Sequence, residues 1–146
     1  GPIDRNLNYL ELFNESYARI VLDPQRVERL VAVFYDRFLA RSARIRELFS
    51  GSDMEAQRVM LRRGLLTVGT FVTTGLRATA QMRRLAQVHQ ELGLTPADYL
   101  EWTDALIEAL AEVDPPLRPE VADAWRVALA PAIQFMQLPG SVPEPS

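Results

Sequence analysis

Residues 23–40 read DPQRVERLVAVFYDRFLA, and their pattern decides the fold class. Asp23 followed by Pro24 is a helix start. A carboxylate can accept from the first free backbone amides, and a proline at the first helical position has the right φ and no N–H to satisfy. Beyond it Val27, Leu30, Val31, Phe34, Tyr35 and Phe38 fall three and four residues apart, the period of one buried helical face. Working outward, Leu10, Phe13, Tyr17, Ile20 and Val21 mark a preceding helix from about Asn8 to Leu22. A short segment from Ser42 to Phe49 follows and is broken by Ser50, Gly51 and Ser52. Ser52 or Asp53 caps a long helix through Met54, Leu61, Leu65, Val68 and Val72 to near Gly75, and a shorter helix runs from about Thr79 to Glu91, stopped by Gly93. Thr95-Pro96 repeats the cap-then-proline signal and opens a helix to about Val113; Pro119 opens the last, from Glu120 to about Gln137. Pro131 lies inside that helix and should bend it, having no amide to give and crowding the turn before it. β-branched alternation is hard to find. The spacing predicts an all-α domain of seven unequal helices rather than a regular four-helix bundle.

With 146 residues, 48% of them hydrophobic and 24% charged, the chain has room for one domain with one core. Residues 1–7 read as an extension, with Gly1-Pro2 a tag remnant. Residues 8–138 form the domain, and the Pro-rich residues 139–146 a tail or truncated linker. No apolar run reaches the length of a membrane span and no export leader opens the chain, so a cytoplasmic protein without a membrane is expected. The net charge of −3 and the scattered basic residues, all arginine, predict no nucleic-acid partner. Absence of cysteine excludes disulfides, thiolate metal sites and a cysteine nucleophile.

One histidine exists, His89, and Leu85 and Ala86 behind it turn its imidazole inward. Taken alone, a single inward histidine is more often a satisfied core residue than a ligand. With no second histidine, an ordinary zinc site cannot be assembled. Nothing resembling a nucleophile elbow supports a Ser-His-Asp triad either. Asp114 and Glu120 sit near turns, where helix capping accounts for them.

Distant context changes the weight of His89. The segment 34–39 (FYDRFL), Glu47-Leu48-Phe49, residues 53–57 (DMEAQ), His89, Tyr99 and Ala124-Trp125 stand in an order and spacing that resemble the bacterial globins. The nearest likeness is to the single-domain globins and the haem domain of flavohaemoglobins or globin-type sensors, over roughly Leu10 to Met136. The resemblance implies a globin fold of about seven helices around a haem pocket, with haem b as cofactor. It implies His89 as the axial iron ligand, with Phe49, Met54, Leu61, Leu85, Leu94 and Tyr99 against the haem. Tyr35 and Gln57 stand at the distal positions, and Trp125 early in the last helix. Both Tyr35 and Gln57 can donate hydrogen bonds, and bound dioxygen carries partial negative charge that such donors stabilise in a dry pocket. Otherwise Tyr35 is a core tyrosine and Gln57 a solvated helix position.

The resemblance therefore implies a five-coordinate iron that reversibly binds dioxygen, carbon monoxide or nitric oxide, in a binding module rather than a standalone enzyme. A gas-sensing domain of a larger signalling protein is the alternative, favoured by the Pro-rich tail. Nitric oxide dioxygenation with a separate reductase is a third reading, lowered because the family's proximal glutamate falls here at Gly140. A haem-free signalling module would not need His89 and its aromatic companions. The last helix is apolar almost all round, and the helix from Thr95 to Val113 is similarly broad. That excess suggests a homodimer through these two helices, with an Ala-rich central helix in a monomer as the alternative.

Overall fold

A computed structural model describes residues 2–138 apart from 116, with the backbone alone for residues 2–7. Seven helices follow one another, α1 (Pro2–Val21), α2 (Pro24–Arg41), α3 (Ala43–Leu48), α4 (Met54–Thr73), α5 (Ala80–Glu91), α6 (Pro96–Val113) and α7 (Pro119–Gln137), with no strand among the described residues. Local chemistry sets their starts. Asp23 accepts from the amides of Gln25 and Arg26, Ser42 from Ile45, Asp53 from Glu55 and Ala56, and Thr79 from Met82. Thr95 and Asp98 form a reciprocal capping box, satisfying two orphan donors at once. Only α7 lacks a side-chain cap among α2–α7, starting at Pro119 after Arg118.

Two expectations shift. The first helix begins at Pro2 rather than near Asn8; no glycine or second proline interrupts residues 3–7. Asp114 caps nothing with its side chain; it pairs with Arg19 at 3.0 Å and joins the end of α6 to α1.

Packing explains the apolar excess of α7. The helix lies against α1 along most of its length and also meets α5, α4 and α6, so it is enclosed from several directions. Val121, Ala124, Trp125, Leu129, Ala132 and Met136 are buried, and Val127 is its one exposed large hydrophobic residue. On α6 the exposed one is Leu100. Trp102 and Ile107 on α6 and Ala128, Ile133 and Phe135 on α7 are only partly buried, so the chain covers much, though not all, of the apolar surface of these two helices.

Two close fits hold α1. Trp125 Nε1 donates to Ser16 Oγ at 2.8 Å, both groups buried, while the indole meets the edge of Phe13 with centroids 4.9 Å apart. The Tyr17 hydroxyl donates to Leu65 O at 3.2 Å, and its ring lies over Gly69 so closely that a Cβ there would sit 2.0 Å from the hydroxyl oxygen. Helix α2 packs chiefly on α6, and a fan of charges closes that seam: Arg41 reaches Glu101, Asp104 at 3.1 Å and Glu108 at 2.7 Å. Between α4 and α5 the chain turns through two left-handed residues, Gly75 (φ 76°) and Leu76 (φ 66°). The Leu76 amide donates back to Phe71 O at 2.8 Å. No helix is long and apolar enough to cross a membrane among the described residues.

Candidate functional site

Helix α5 presents His89 because the turns before it are anchored. Ala86 and Met82, one and two helical turns upstream, are fully buried. That leaves His89 half-buried, further along the same inward side. Its Nδ1 lies 2.8 Å from the carbonyl oxygen of Leu85. A carbonyl can only accept, so the proton sits on Nδ1 and the lone pair on Nε2. Burial disfavours the imidazolium and pulls the pKa of His89 below its ordinary value, against a smaller upward pull from the Leu85 carbonyl. The ring is therefore a neutral imidazole with a set tautomer. Tyr99 stacks beside it, centroids 6.5 Å apart and planes inclined by 26°.

A cavity of about 400 Å³ opens against this histidine, lined by His89, Gln90, Leu94, Pro96, Tyr99, Met136 and Gln137. Helices α5, α6 and α7 and the turn between α5 and α6 thus supply its walls. Leu94 and Tyr99 stand where the sequence predicts site residues. Gln90, Pro96, Met136 and Gln137 are additions, and the only sequence signal for any of them is that Gln90 adjoins His89.

A second cluster lies where α2, α3 and α4 meet. Tyr35 is buried and its ring meets Phe34 and Phe49 edge-on, at centroid distances of 5.1 and 5.6 Å. Phe38 approaches Phe49 at 6.2 Å. The Tyr35 hydroxyl donates to the main-chain oxygen of Gln57 at 3.3 Å, so Tyr35 and Gln57 do meet, but through backbone rather than through the Gln57 side chain. Burial pushes the Tyr35 pKa up to about 12, which keeps the hydroxyl a proton donor across the physiological range. Met54 and Leu61, on the same helix as Gln57, are half-buried and packed against the core. Leu85 is half-buried too, and its side chain lies beside Gly64 of α4, 3.8 Å from where a Cβ there would stand.

The predicted site residues thus fall into two groups. Tyr35, Phe49, Met54, Gln57 and Leu61 gather around the start of α4, and His89 with Leu94 and Tyr99 around the cavity, while Leu85 lies between α4 and α5. Among the described residues no hydrogen bond or ring contact joins the two groups. Trp125 belongs to neither; it locks α7 to α1 through Ser16. Gly140 and the tail 139–146 lie outside the described residues.

The arrangement around His89 suits an iron ligand: a lone imidazole donates Nδ1–H to a main-chain carbonyl, which fixes ring orientation and raises the basicity of the other nitrogen. A family model described as Globin matches residues 32–136. A solved structure from Pseudomonas aeruginosa PAO1, of a protein described as structurally highly homologous to a human haemoglobin, is 30% identical. It superposes with a TM-score of 0.75 over 88% of this chain and 95% of that one. No curated protein sequence matches.

Proposed function

The chain belongs to the globin family, and from that premise we propose that it is a haem-binding globin that reversibly takes up dioxygen or another diatomic gas in the cytoplasm, with His89 as its axial ligand. The observation that carries this reading is the state of His89, a half-buried neutral ring with Nδ1 committed to Leu85 O and a cavity of about 400 Å³ beside it. Leu85, Leu94 and Tyr99 would hold the proximal side of haem, and Phe49, Met54 and Leu61 the other. Haem, when bound, supplies an iron centre with one face open to a small ligand.

The chain's own part is to orient, to exclude water and to place donors. The Leu85 carbonyl keeps the imidazole in one tautomer, and Tyr99 limits its rotation by stacking. The aromatic cluster of Phe34, Tyr35, Phe38 and Phe49 would exclude water from the ligand side. Tyr35 holds its proton at all relevant pH, and turning its hydroxyl away from Gln57 O would aim that proton at a partly anionic ligand. The Gln57 side chain would offer a second donor. With one histidine in the chain, no second imidazole competes for the open face, so the ferrous form is expected to be five-coordinate. Nothing in this set moves a proton or supplies electrons, which favours binding or sensing over a complete catalytic cycle.

Addition of hemin to the haem-free protein tests the reading. An intense haem band should grow to one equivalent, with a five-coordinate ferrous spectrum after reduction. His89→Ala should weaken uptake by more than about a hundredfold, since even the loss of a ligand's outer partner costs tens of fold. A wild-type protein that leaves hemin free in solution overturns it.

A further inference from the structure

The residue after the histidine makes the longest-range polar tie of α5 among the described residues. Gln90 Nε2 donates to Met136 O at 2.8 Å and to Leu138 O at 3.1 Å. Those carbonyls belong to the end of α7, where the last turn has no helical amides ahead to bond with. One carboxamide thus satisfies two of them with its two N–H groups. A two-point contact of this kind fixes direction as well as distance, as a single hydrogen bond does not.

The rest of α5 gives this tie its weight. The buried anchors, Met82 and Ala86, lie in the first two turns of the helix. In the final turns Gln87, Val88, Glu91 and Leu92 are exposed, leaving His89 and Gln90 as the side chains turned towards the body of the protein. Among the described residues His89 bonds only within its own helix, to Leu85, so its direction follows the α5 backbone. Gln90 adds a directed polar contact between that backbone and a neighbouring helix. The neighbour is itself part of the site, for Met136 and Gln137 face His89 across the same cavity.

We infer that Gln90 is a positioning residue, which registers the His89 turn of α5 against the C-terminal turn of α7 so that displacement of one is felt by the other. This rests on the haem reading above for its functional meaning, though the tie itself can be read without haem. The coupling runs both ways. Displacement at the end of α7 reaches His89 through this carboxamide as well as through the packing of α5 on α7, and strain at the histidine is passed back by the same routes.

Three variants test it. Gln90→Leu keeps the bulk and removes both donors, Gln90→Glu keeps the shape but turns an acceptor towards two acceptors, and Gln90→Arg keeps donors on a longer stem. In the haem-free protein, amide hydrogen exchange at residues 136–138 and at the last turn of α5 should quicken roughly tenfold in the first two variants, as expected for two lost hydrogen bonds. In the haem-loaded ferrous protein the iron–histidine stretching band should shift in the same two variants. Gln90→Arg should stay near wild type in both measurements. Faster exchange confined to α7, with α5 and the iron–histidine band unmoved, overturns the positioning role, as does an equal shift in all three variants. If wild type takes up no haem, the reading of function above fails. The exchange measurement then still decides whether Gln90 couples the two helices.

Discussion

The two halves of the site are built on opposite principles. Around Tyr35 and Phe49 the side chains hold one another: four aromatic rings meet at 5.1–6.2 Å, in contacts contributed by α2 and the end of α3, and the buried surface is almost wholly apolar. Around His89 the side chains are held by main chain. Its own nitrogen goes to Leu85 O, the next residue's carboxamide goes to Met136 O and Leu138 O, and both residues line an open cavity together with Tyr99. Ring packing resists change in volume, whereas hydrogen bonds to carbonyls resist change in direction. The cluster around Tyr35 is therefore suited to excluding water, and the surroundings of His89 to holding a direction with some freedom to shift.

The largest test of this contrast is Tyr35→Phe. It keeps the ring and removes one donor, so a selective effect on oxygen binding is electrostatic. If the hydroxyl swings from Gln57 O to a partly charged ligand, oxygen affinity should fall about ten- to a hundredfold, the worth of one such hydrogen bond at roughly 1.5–3 kcal/mol. Most of the fall should appear as faster release, and carbon monoxide affinity should change far less. Stopped-flow rates for both gases check it. Unchanged oxygen release would mean that the hydroxyl stays with Gln57 O and that the distal half works by exclusion alone; equal weakening of both gases would indicate damaged packing.

A smaller effect should appear in the stability of the haem-free protein. The folded pKa of His89 lies below its unfolded value of about 6.5, so above that pH both states carry the neutral ring and the stability is fully present. As pH falls from about 6.5 through the folded value, the unfolded chain binds the proton first and stability is lost. Urea melts at about pH 7.5 and about pH 5.5 should show the loss in wild type. His89→Leu should be nearly flat over the same interval. A variant that keeps the wild-type slope would assign the proton to another group and leave the imidazole less buried than described.

The least effect is expected where the halves are joined. Helix α2 carries Tyr35 and α6 carries Tyr99, and Arg41 spans the seam to Glu101, Asp104 and Glu108. All four side chains are partly in water, so Arg41→Ala should cost at most about 1 kcal/mol, less in high salt. Thermal melts at low and high salt would show it. A loss of several kcal/mol, or a change in gas affinity, would mean that the charges rather than the apolar seam set the two halves in register.

What could be read from the chain divides along a similar line. Asp23-Pro24, Asp53, Thr79 and Thr95-Pro96 announce their helices because a cap acts within three residues, and the helix limits drawn from them fall within about two residues of those found, the first helix's start excepted. Tyr35, Phe49 and Gln57 were legible as a set, and the fold does bring them together. Gln90 was not, although it adjoins the one histidine, because its partners lie 46 and 48 residues away and are main-chain atoms that any residue would offer. Ser16 with Trp125 is the same case at a separation of 109. The apolar breadth of α7 was visible but ambiguous. A helix touched by four others and a helix in a dimer interface have the same composition, and only packing tells them apart.

The seat of Tyr17 on Gly69 has a consequence for descent. The phenol lies where the first carbon of any other side chain would go, and its hydroxyl is tied to Leu65 O, so neither residue can change freely while the other stands. Among relatives that keep this crossing of α1 over α4, glycine at 69 and an aromatic at 17 should be gained and lost together. Alanine or serine at 69 should travel with a short residue at 17. A lineage passing between the two states must go through the cavity left by losing the tyrosine first, because the opposite order puts two atoms in one place.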